Sequence, residues 1–212
     1  MENPVIIFGA NYLGRQVKDI LERNGNVIYC FLDDNKKIHN TVIDEITVLG
    51  STDDETLLKL VGKKCDAVVA VDESRLRKSL VTMLQEERKV QPVNVISQST
   101  ILAASSAIGH GNYIDHYVTI AAGASIGSHC MLHAGCVIGG EVKVADYVQI
   151  GAGSIVNAGS EIEEGVFIGA GVTIVGGISI GKGARIGAGS VVIGPVKAGE
   201  ILFGNPAQQI KS

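Results

Sequence analysis

The sequence predicts a two-domain chain: a Rossmann-like α/β unit over residues 1–98, then an all-β parallel β-helix over 99–198, closed by a tail over 199–212. Three observations carry this. Short apolar runs alternate with amphipathic helical segments as far as Thr100. Glycine rises from five in residues 1–100 to twenty-two in residues 101–212, and Lys plus Arg fall from thirteen to five. From Leu102 to Val192 an aliphatic residue falls at every sixth position, sixteen times without an insertion.

The elements of the first part follow in order. Val5-Ile6-Ile7-Phe8 reads as a buried strand, and Val17, Ile20 and Leu21 share one face of the helix after it. Asn24-Gly25 ends that helix, because glycine accepts the left-handed geometry of a C-terminal cap. Val27 to Leu32 is a second strand and Thr56 to Val61 a short helix. Ala67 to Val71 is a third strand, Ser74 to Lys89 an amphipathic helix and Val93 to Ile96 a fourth strand. Near-continuous apolar strands separated by helices indicate a parallel sheet covered by helices.

The second part has a period that fits neither a helix nor an ordinary strand. A hexapeptide repeat makes a parallel β-helix, with one short strand and one corner per hexad. The sixteen aliphatic residues point into a triangular prism of about five coils. Glycine three positions later, as at Gly111, Gly123 and Gly135, suits a corner with positive φ. Val118, Val142, Val148, Val166, Val172 and Ile178 are read as outer-face residues. A flat apolar face is normally buried by a partner, so a cyclic homo-oligomer is expected.

Composition excludes several classes. A net charge of −4 argues against a nucleic-acid binder. No apolar run approaches the length of about 20 residues that spans a membrane, and the N-terminus lacks a basic leader, so a cytoplasmic protein is expected. The four cysteines form no CxxC pair, so neither a disulfide framework nor a zinc ribbon is indicated. His110, His116, His129 and His133 fall in the early coils at spacings of 6, 13 and 4. Zinc hydration sites built between β-helix subunits use two histidines five apart, so no metal is expected.

Three clusters carry candidate chemistry. Gly9-Ala10-Asn11-Tyr12-Leu13-Gly14 joins a strand to a helix, where small residues and free N–H groups suit a phosphate. Asn11 replaces the middle glycine of the dinucleotide fingerprint, which weakens an NAD reading. A tight turn without a ligand is the alternative. Asp33 and Asp34 end a parallel strand, where a carboxylate is placed to accept from a base or ribose, or simply stands in a solvated loop. Arg75 and Arg77 are candidates for a pyrophosphate, against the alternative of a solvated helix surface.

The [LIV]-[GA]-x-x-[STAV]-x hexads after an α/β unit resemble the left-handed β-helix sugar acyltransferases. That family includes the sialic acid O-acetyltransferase and the UDP-4-amino-sugar N-acetyltransferase of bacillosamine biosynthesis. Phe31-Leu32-Asp33-Asp34, Arg75-Leu76-Arg77-Lys78 and the tail Phe203-Gly204-Asn205-Pro206-Ala207 carry the likeness as well. The resemblance implies a left-handed coil, a homotrimer, and acetyl-CoA held between neighbouring prisms. It implies a nucleotide sugar, UDP-linked by the nearest analogy, held by the α/β unit through Gly9, Asn11, Tyr12, Asp33, Asp34 and Arg75. It places pantetheine against amides around Ala158, Gly169 and Ala188, with Lys182, Arg185 and Lys197 facing CoA phosphates and Asn205 and Pro206 near the adenine.

The resemblance also raises a difficulty. The family's general-base histidine falls on Gly140, with its acidic neighbour at Glu141, and a second family histidine falls on Gln149. Glycine takes no proton. His133 stands where the family has an asparagine near the active centre, and imidazole has a pKa of about 6.5. His133, Glu141 and His116 are therefore the replacement candidates, with His129 behind them. The implied activity is acyl transfer from acetyl-CoA to an amine or hydroxyl of a nucleotide-linked sugar. The alternative is a catalytically impaired paralogue that binds a sugar nucleotide.

Overall fold

The computed structural model describes residues 3–210. The chain forms two compact units, residues 1–98 and 99–212.

The first unit is built on a five-stranded sheet. Its strands are β1 (Val5–Phe8), β2 (Ile28–Leu32), β3 (Val42–Ile43), β4 (Ile46–Gly50) and β5 (Asp66–Val69), in the order β3-β4-β2-β1-β5. β1 is fully buried and pairs in parallel with β2 on one side and β5 on the other. Such burial on both faces explains the unbroken apolar run. The helices are α1 (Tyr12–Arg23), α2 (Glu55–Leu58) and α3 (Ser74–Thr82), the last continued by a π-helical turn, Met83–Glu87. Ile6, Phe8, Leu32, Leu58, Leu80 and Leu84 belong to one core cluster.

Two features depart from the sequence expectation. Val42–Ile43 and Ile46–Gly50 form an antiparallel hairpin that adds two strands at one edge. Its turn residues Asp44 and Glu45 have φ of 45° and 70°, without the Asn-Gly signature of such turns. Arg15 compensates from α1, donating to both carboxylate oxygens of Asp44 at 2.7 and 3.0 Å. The expected fourth strand is short, Val95–Ile96, and lies outside the five-stranded sheet; Asn24 Nδ2 donates to the Ile96 carbonyl at 2.9 Å.

The second unit is a parallel β-helix. Among the described residues, sixteen two-residue strands run from Ile101–Leu102 to Val191–Val192. Each pairs with the strand eighteen positions away, as Thr119 does with Ile101 and Val137. Three parallel sheets result. The aliphatic hexad residues from Ile114 onward are buried, none more than 3% exposed. Leu102, at 41% exposed, and Ile108, half-buried, are the exceptions, because each opens its stack.

The corners correct one reading. Val118, Val142, Val148, Val166, Val172 and Ile178 are 0–7% exposed within the chain itself. They are inward residues, so they cannot form an outer apolar face. Each hexad thus sends two side chains inward, an aliphatic one from the strand and a small one from the corner. Asn112, Ala124, Cys130, Cys136, Ser154, Ser160, Ala184 and Ser190 occupy the same corner position and are equally buried. Burial pushes the Cys136 thiol up to about 12.

The left-handed corner position is glycine in most hexads, as at Gly135 (φ 68°) and Gly153 (φ 67°). Four hexads place Tyr117, His129, Glu141 and Tyr147 there instead, at φ 57–60°. The tail folds back on the coil: Ile201–Phe203 pairs in parallel with Arg185–Ile186 and antiparallel with Gln208–Gln209.

Candidate active site

In the α/β unit the first candidate residues meet one another rather than open space. Gly9 (φ 113°) lies so near the loop after β5 that a Cβ would sit 2.5 Å from the Ala70 carbonyl oxygen. Asn11 is the N-cap of α1, and its Oδ1 accepts from Leu13 and Gly14 N–H at 3.0 and 3.1 Å. This is why the middle fingerprint glycine is dispensable here: the side chain satisfies N–H groups that a phosphate would otherwise meet. Asp33 Oδ2 accepts from Ala10 N–H at 2.9 Å, and its Oδ1 accepts from Asn35 N–H at 2.9 Å. The Tyr12 hydroxyl donates to Asp72, and that bond with the carboxylate raises the phenol pKa.

Arg77 overturns the solvated reading. It is 3% exposed, and its Nη1 donates to the Val71 and Asp72 carbonyls at 3.1 Å each. It clamps the loop after β5 and faces no solvent. Arg75 remains exposed on the first turn of α3. Asp34 Oδ1 accepts from the backbone and the hydroxyl of Thr52, at 2.9 and 2.8 Å. Asp34 also lines a cavity of about 580 Å³ together with Ser51, Thr52, Asp53, Leu76 and Ser79. Sequence reading missed the Ser51–Asp53 turn, although Gly50 followed by Ser-Thr-Asp-Asp is a turn signature after an apolar run.

In the β-helix the histidines separate by environment. His116 Nδ1 lies 2.8 Å from Asp115 Oδ1, which also accepts from the His116 backbone N–H at 2.7 Å. Asp115 is buried at 6% exposure, while the His116 side chain keeps 34%. A carboxylate at Nδ1 holds the proton there and leaves the Nε2 lone pair outward, the arrangement of a general base. His133 Nε2 lies 3.3 Å from Gln149 Nε2, and its ring meets Tyr113 edge-on with centroids 5.8 Å apart. The structure thus joins His133 to Gln149, two positions the sequence singled out separately. His129 is 4% exposed and stacked on Tyr147 at 5.1 Å, the setting of a packed corner side chain.

Glu141 is an exposed corner residue at φ 57°. Beside it, Gly140 has room: a Cβ would meet only the Ala122 carbonyl oxygen, at 3.4 Å. Nothing in the backbone demands glycine there.

The acyl-carrier candidates also divide. Ala158 and Ala188 are exposed, and among the described residues their N–H groups make no hydrogen bond. Gly169 is a correction. It is buried, its N–H donates to the Ile186 carbonyl at 2.8 Å, and a Cβ would sit 2.6 Å from Ala188 N. It is glycine for packing and offers no amide to a ligand. Lys182 pairs with Glu164 at 2.7 Å, and Arg185 lies over the Phe167 ring at 4.5 Å. Lys197 is exposed, and Asn205 and Pro206 are exposed in the turn between the two tail strands.

Comparisons with known proteins bear on both units. Residues 4–84 match the PglD N-terminal domain family. Residues 105–140, 123–158 and 159–194 match the bacterial transferase hexapeptide (six repeats) family. No curated protein matched the chain by sequence. Among solved structures, a mutant perosamine N-acetyltransferase from Caulobacter crescentus, in complex with CoA and GDP-perosamine, is similar at a TM-score of 0.91 and 23% identity. The match covers 100% of this chain and 99% of that one. The acetyltransferase domain of PglB from Neisseria gonorrhoeae, in complex with acetyl coenzyme A, is similar at 0.90 and 22% identity, over 99% and 100% of the two chains. WeeI from Acinetobacter baumannii is similar at 0.88 and 25% identity, over 98% and 99%. The first unit thus matches the PglD N-terminal domain, the second matches transferase hexapeptide repeats, and the chain shares its fold with these solved structures over nearly its whole length.

Proposed function

We propose that the protein is an acyl-CoA-dependent acyltransferase, using acetyl-CoA to acylate an amine or hydroxyl of a nucleotide-linked sugar. One observation carries this reading. Solved N-acetyltransferases holding CoA and a sugar nucleotide share the fold over 99–100% of both chains. In this reading the coil is left-handed, the first unit is Rossmann-like, and the protein is a cytoplasmic homotrimer. The outward column Ile101, Val137 and Ile155, with Val175 and Ile193 beside it, replaces the inward valines as the face to be covered. Ile101 and Ile193 are 65% and 63% exposed.

The sugar nucleophile attacks the thioester carbonyl, a general base takes its proton, and CoA leaves as the thiol. Backbone N–H groups at the corners, Ala158 and Ala188 among them, are suited to hold the oxygen on which charge develops. Among the base candidates His116 has the orienting carboxylate, while His133 and Glu141 lie nearer in sequence to Gly140. The nucleotide is UDP by analogy with the bacillosamine enzyme.

A second reading, a sugar-nucleotide-binding protein with impaired catalysis, is favoured by Gly140. A thiol-release assay with acetyl-CoA and a panel of UDP-, GDP- and dTDP-linked amino sugars separates the two. Turnover that falls at least about a hundredfold in His116→Ala or His133→Ala identifies the base. Nucleotide-sugar binding without turnover in the wild type selects the second reading.

A further inference from the structure

One corner of the β-helix can be followed straight along the prism, because its residues stack at intervals of eighteen. Three of its turns read Gly-Ala-Gly, at 151–153, 169–171 and 187–189. The turn before them is His133-Ala134-Gly135, and the first is Asp115-His116-Tyr117. Backbone bonds tie the column together: Gly189 N–H donates to the Ala170 carbonyl, Gly171 to Ala152, Gly153 to Ala134 and Gly135 to His116, at 2.8–2.9 Å. Four turns end in Ala-Gly. The remaining one ends in an imidazole and a phenol, their ring centroids 6.3 Å apart.

The fold gives Tyr117 no reason to be other than glycine. Its φ is 59°, in the left-handed region, where a side chain costs free energy that glycine does not. The other three side chains at such corners of the β-helix have a place to pack. His129 and Tyr147 stack on each other, and Glu141 lies over Gly123, where an added Cβ would be 3.1 Å from the Glu141 Cγ. Tyr117 is 73% exposed, and its hydroxyl makes no hydrogen bond among the described residues. The coil uses only its backbone N–H, which donates to Ser99 Oγ at 3.2 Å, a bond glycine would make equally well. Strain kept at an exposed side chain points to binding.

The chemistry of the position narrows what is bound. A phenol is a flat apolar surface with a polar tip. Here it stands beside an imidazole whose Nδ1 is held by Asp115. Such a surface matches the C–H face of a pyranose ring. It offers nothing to a diphosphate, which seeks cations and N–H groups.

We propose that Tyr117 seats the acceptor sugar. The pyranose packs its C–H face on the phenol ring, which brings the nucleophile beside His116 and restricts which sugars are accepted. The inference rests on the acyltransferase reading, which supplies the sugar, and adds to it a specificity-determining residue.

Calorimetric titration and steady-state kinetics on the full chain, Tyr117→Gly and Tyr117→Phe test it. The ligands are the best of the UDP-, GDP- and dTDP-linked amino sugars, its bare nucleoside diphosphate, and acetyl-CoA. Tyr117→Gly should melt about 2–4 °C above the wild type, because the strained corner is relieved. It should nevertheless weaken the sugar nucleotide at least about tenfold in Kd and KM. The bare diphosphate and acetyl-CoA, which lack the sugar, should stay within about twofold in the same variant. Tyr117→Phe keeps the ring and should stay within about threefold of the wild type for every ligand. In a wild type that binds the sugar nucleotide without turnover, the Kd values decide. A Tyr117→Gly variant that gains stability and binds the sugar nucleotide as the wild type does overturns the seat and leaves the acyltransferase reading standing. An equal loss of the sugar nucleotide and the bare diphosphate overturns it too, as does a Tyr117→Phe loss as large as that of Tyr117→Gly. A changed oligomeric state of Tyr117→Gly in sedimentation makes the phenol a contact between copies and also overturns the seat. A wild type that takes acetyl-CoA and no sugar nucleotide overturns the seat and the sugar-nucleotide reading together.

Discussion

The two units earn their order in opposite ways. In the β-helix every hexad repeats the same solution, an aliphatic residue and a small corner residue inward and a left-handed corner outward. A departure from that solution is visible against its neighbours, as Glu141 is at a left-handed corner that most hexads give to glycine and Asp115 is at a position often held by glycine or alanine. In the α/β unit each loop is a single solution, and its polar groups are consumed in holding neighbouring loops together: Asn11 caps α1, Asp33 ties the loop after β1, and Arg77 clamps the loop after β5. The comparison teaches that an out-of-pattern residue in the repeat points to chemistry. A residue at the right place in the α/β unit can be fully occupied by structure.

The largest effect that sharpens this contrast is expected at Gly140. If its lack of a side chain reflects lost chemistry and no packing demand, Gly140→His should fold as the wild type does. A Cβ there would have its nearest atom 3.4 Å away. It should raise turnover about a hundredfold, the contribution of one positioned base. Turnover unchanged in a folded variant would place the base elsewhere. The matching test in the α/β unit is Arg77→Met, which leaves two carbonyls without their charged donor. It should cost about 2–3 kcal/mol in denaturant unfolding. A cost near zero would mean that the clamp is dispensable.

A smaller effect is expected at Glu141, where a side chain sits at φ 57°. Glu141→Gly should stabilise the β-helix by about 1 kcal/mol while lowering turnover. A gain in stability with no loss of activity would make Glu141 an ordinary corner. The smallest effect concerns Glu73, the N-cap of α3, whose carboxyl is held below its usual range by hydrogen bonds from the Arg75 and Leu76 N–H groups. A depressed carboxylate stabilises the fold above its unfolded pKa of about 4.3 and loses that contribution as pH falls through the folded value. The melting temperature of the wild type should exceed that of Glu73→Ala at pH 7, and the gap should close below about pH 4.

Much of this architecture is legible in the sequence because its signals are periodic. Ile114 to Val192 were recognisable as core from spacing alone, since a prism of fixed geometry needs an apolar residue at a fixed interval. The second inward set was harder to see. Val118 and Val142 look like outer-face residues until Cys130, Ser154 and Ala184 at the same hexad position are seen to be uniformly small. Isolated signals fared differently. Asp44 and Glu45 carry no glycine to announce their turn, so the hairpin was invisible. Arg77 reads as surface on a helical wheel, and only the tertiary path of the loop after β5 buries it. Gly169 matched a family position, yet its reason lies in the stacking of Ala188 above it. The Asp115–His116 contact is between adjacent residues, and what the sequence lacked was the burial of Asp115 that turns adjacency into orientation.

The central claim is that this chain binds an acyl-CoA and transfers its acyl group. Calorimetric titration of acetyl-CoA into the purified protein at neutral pH tests it most directly. The account predicts binding near micromolar, about −8 kcal/mol, at one site per chain. A folded oligomer that takes up no acetyl-CoA would contradict it and leave the sugar-nucleotide-binding reading in its place.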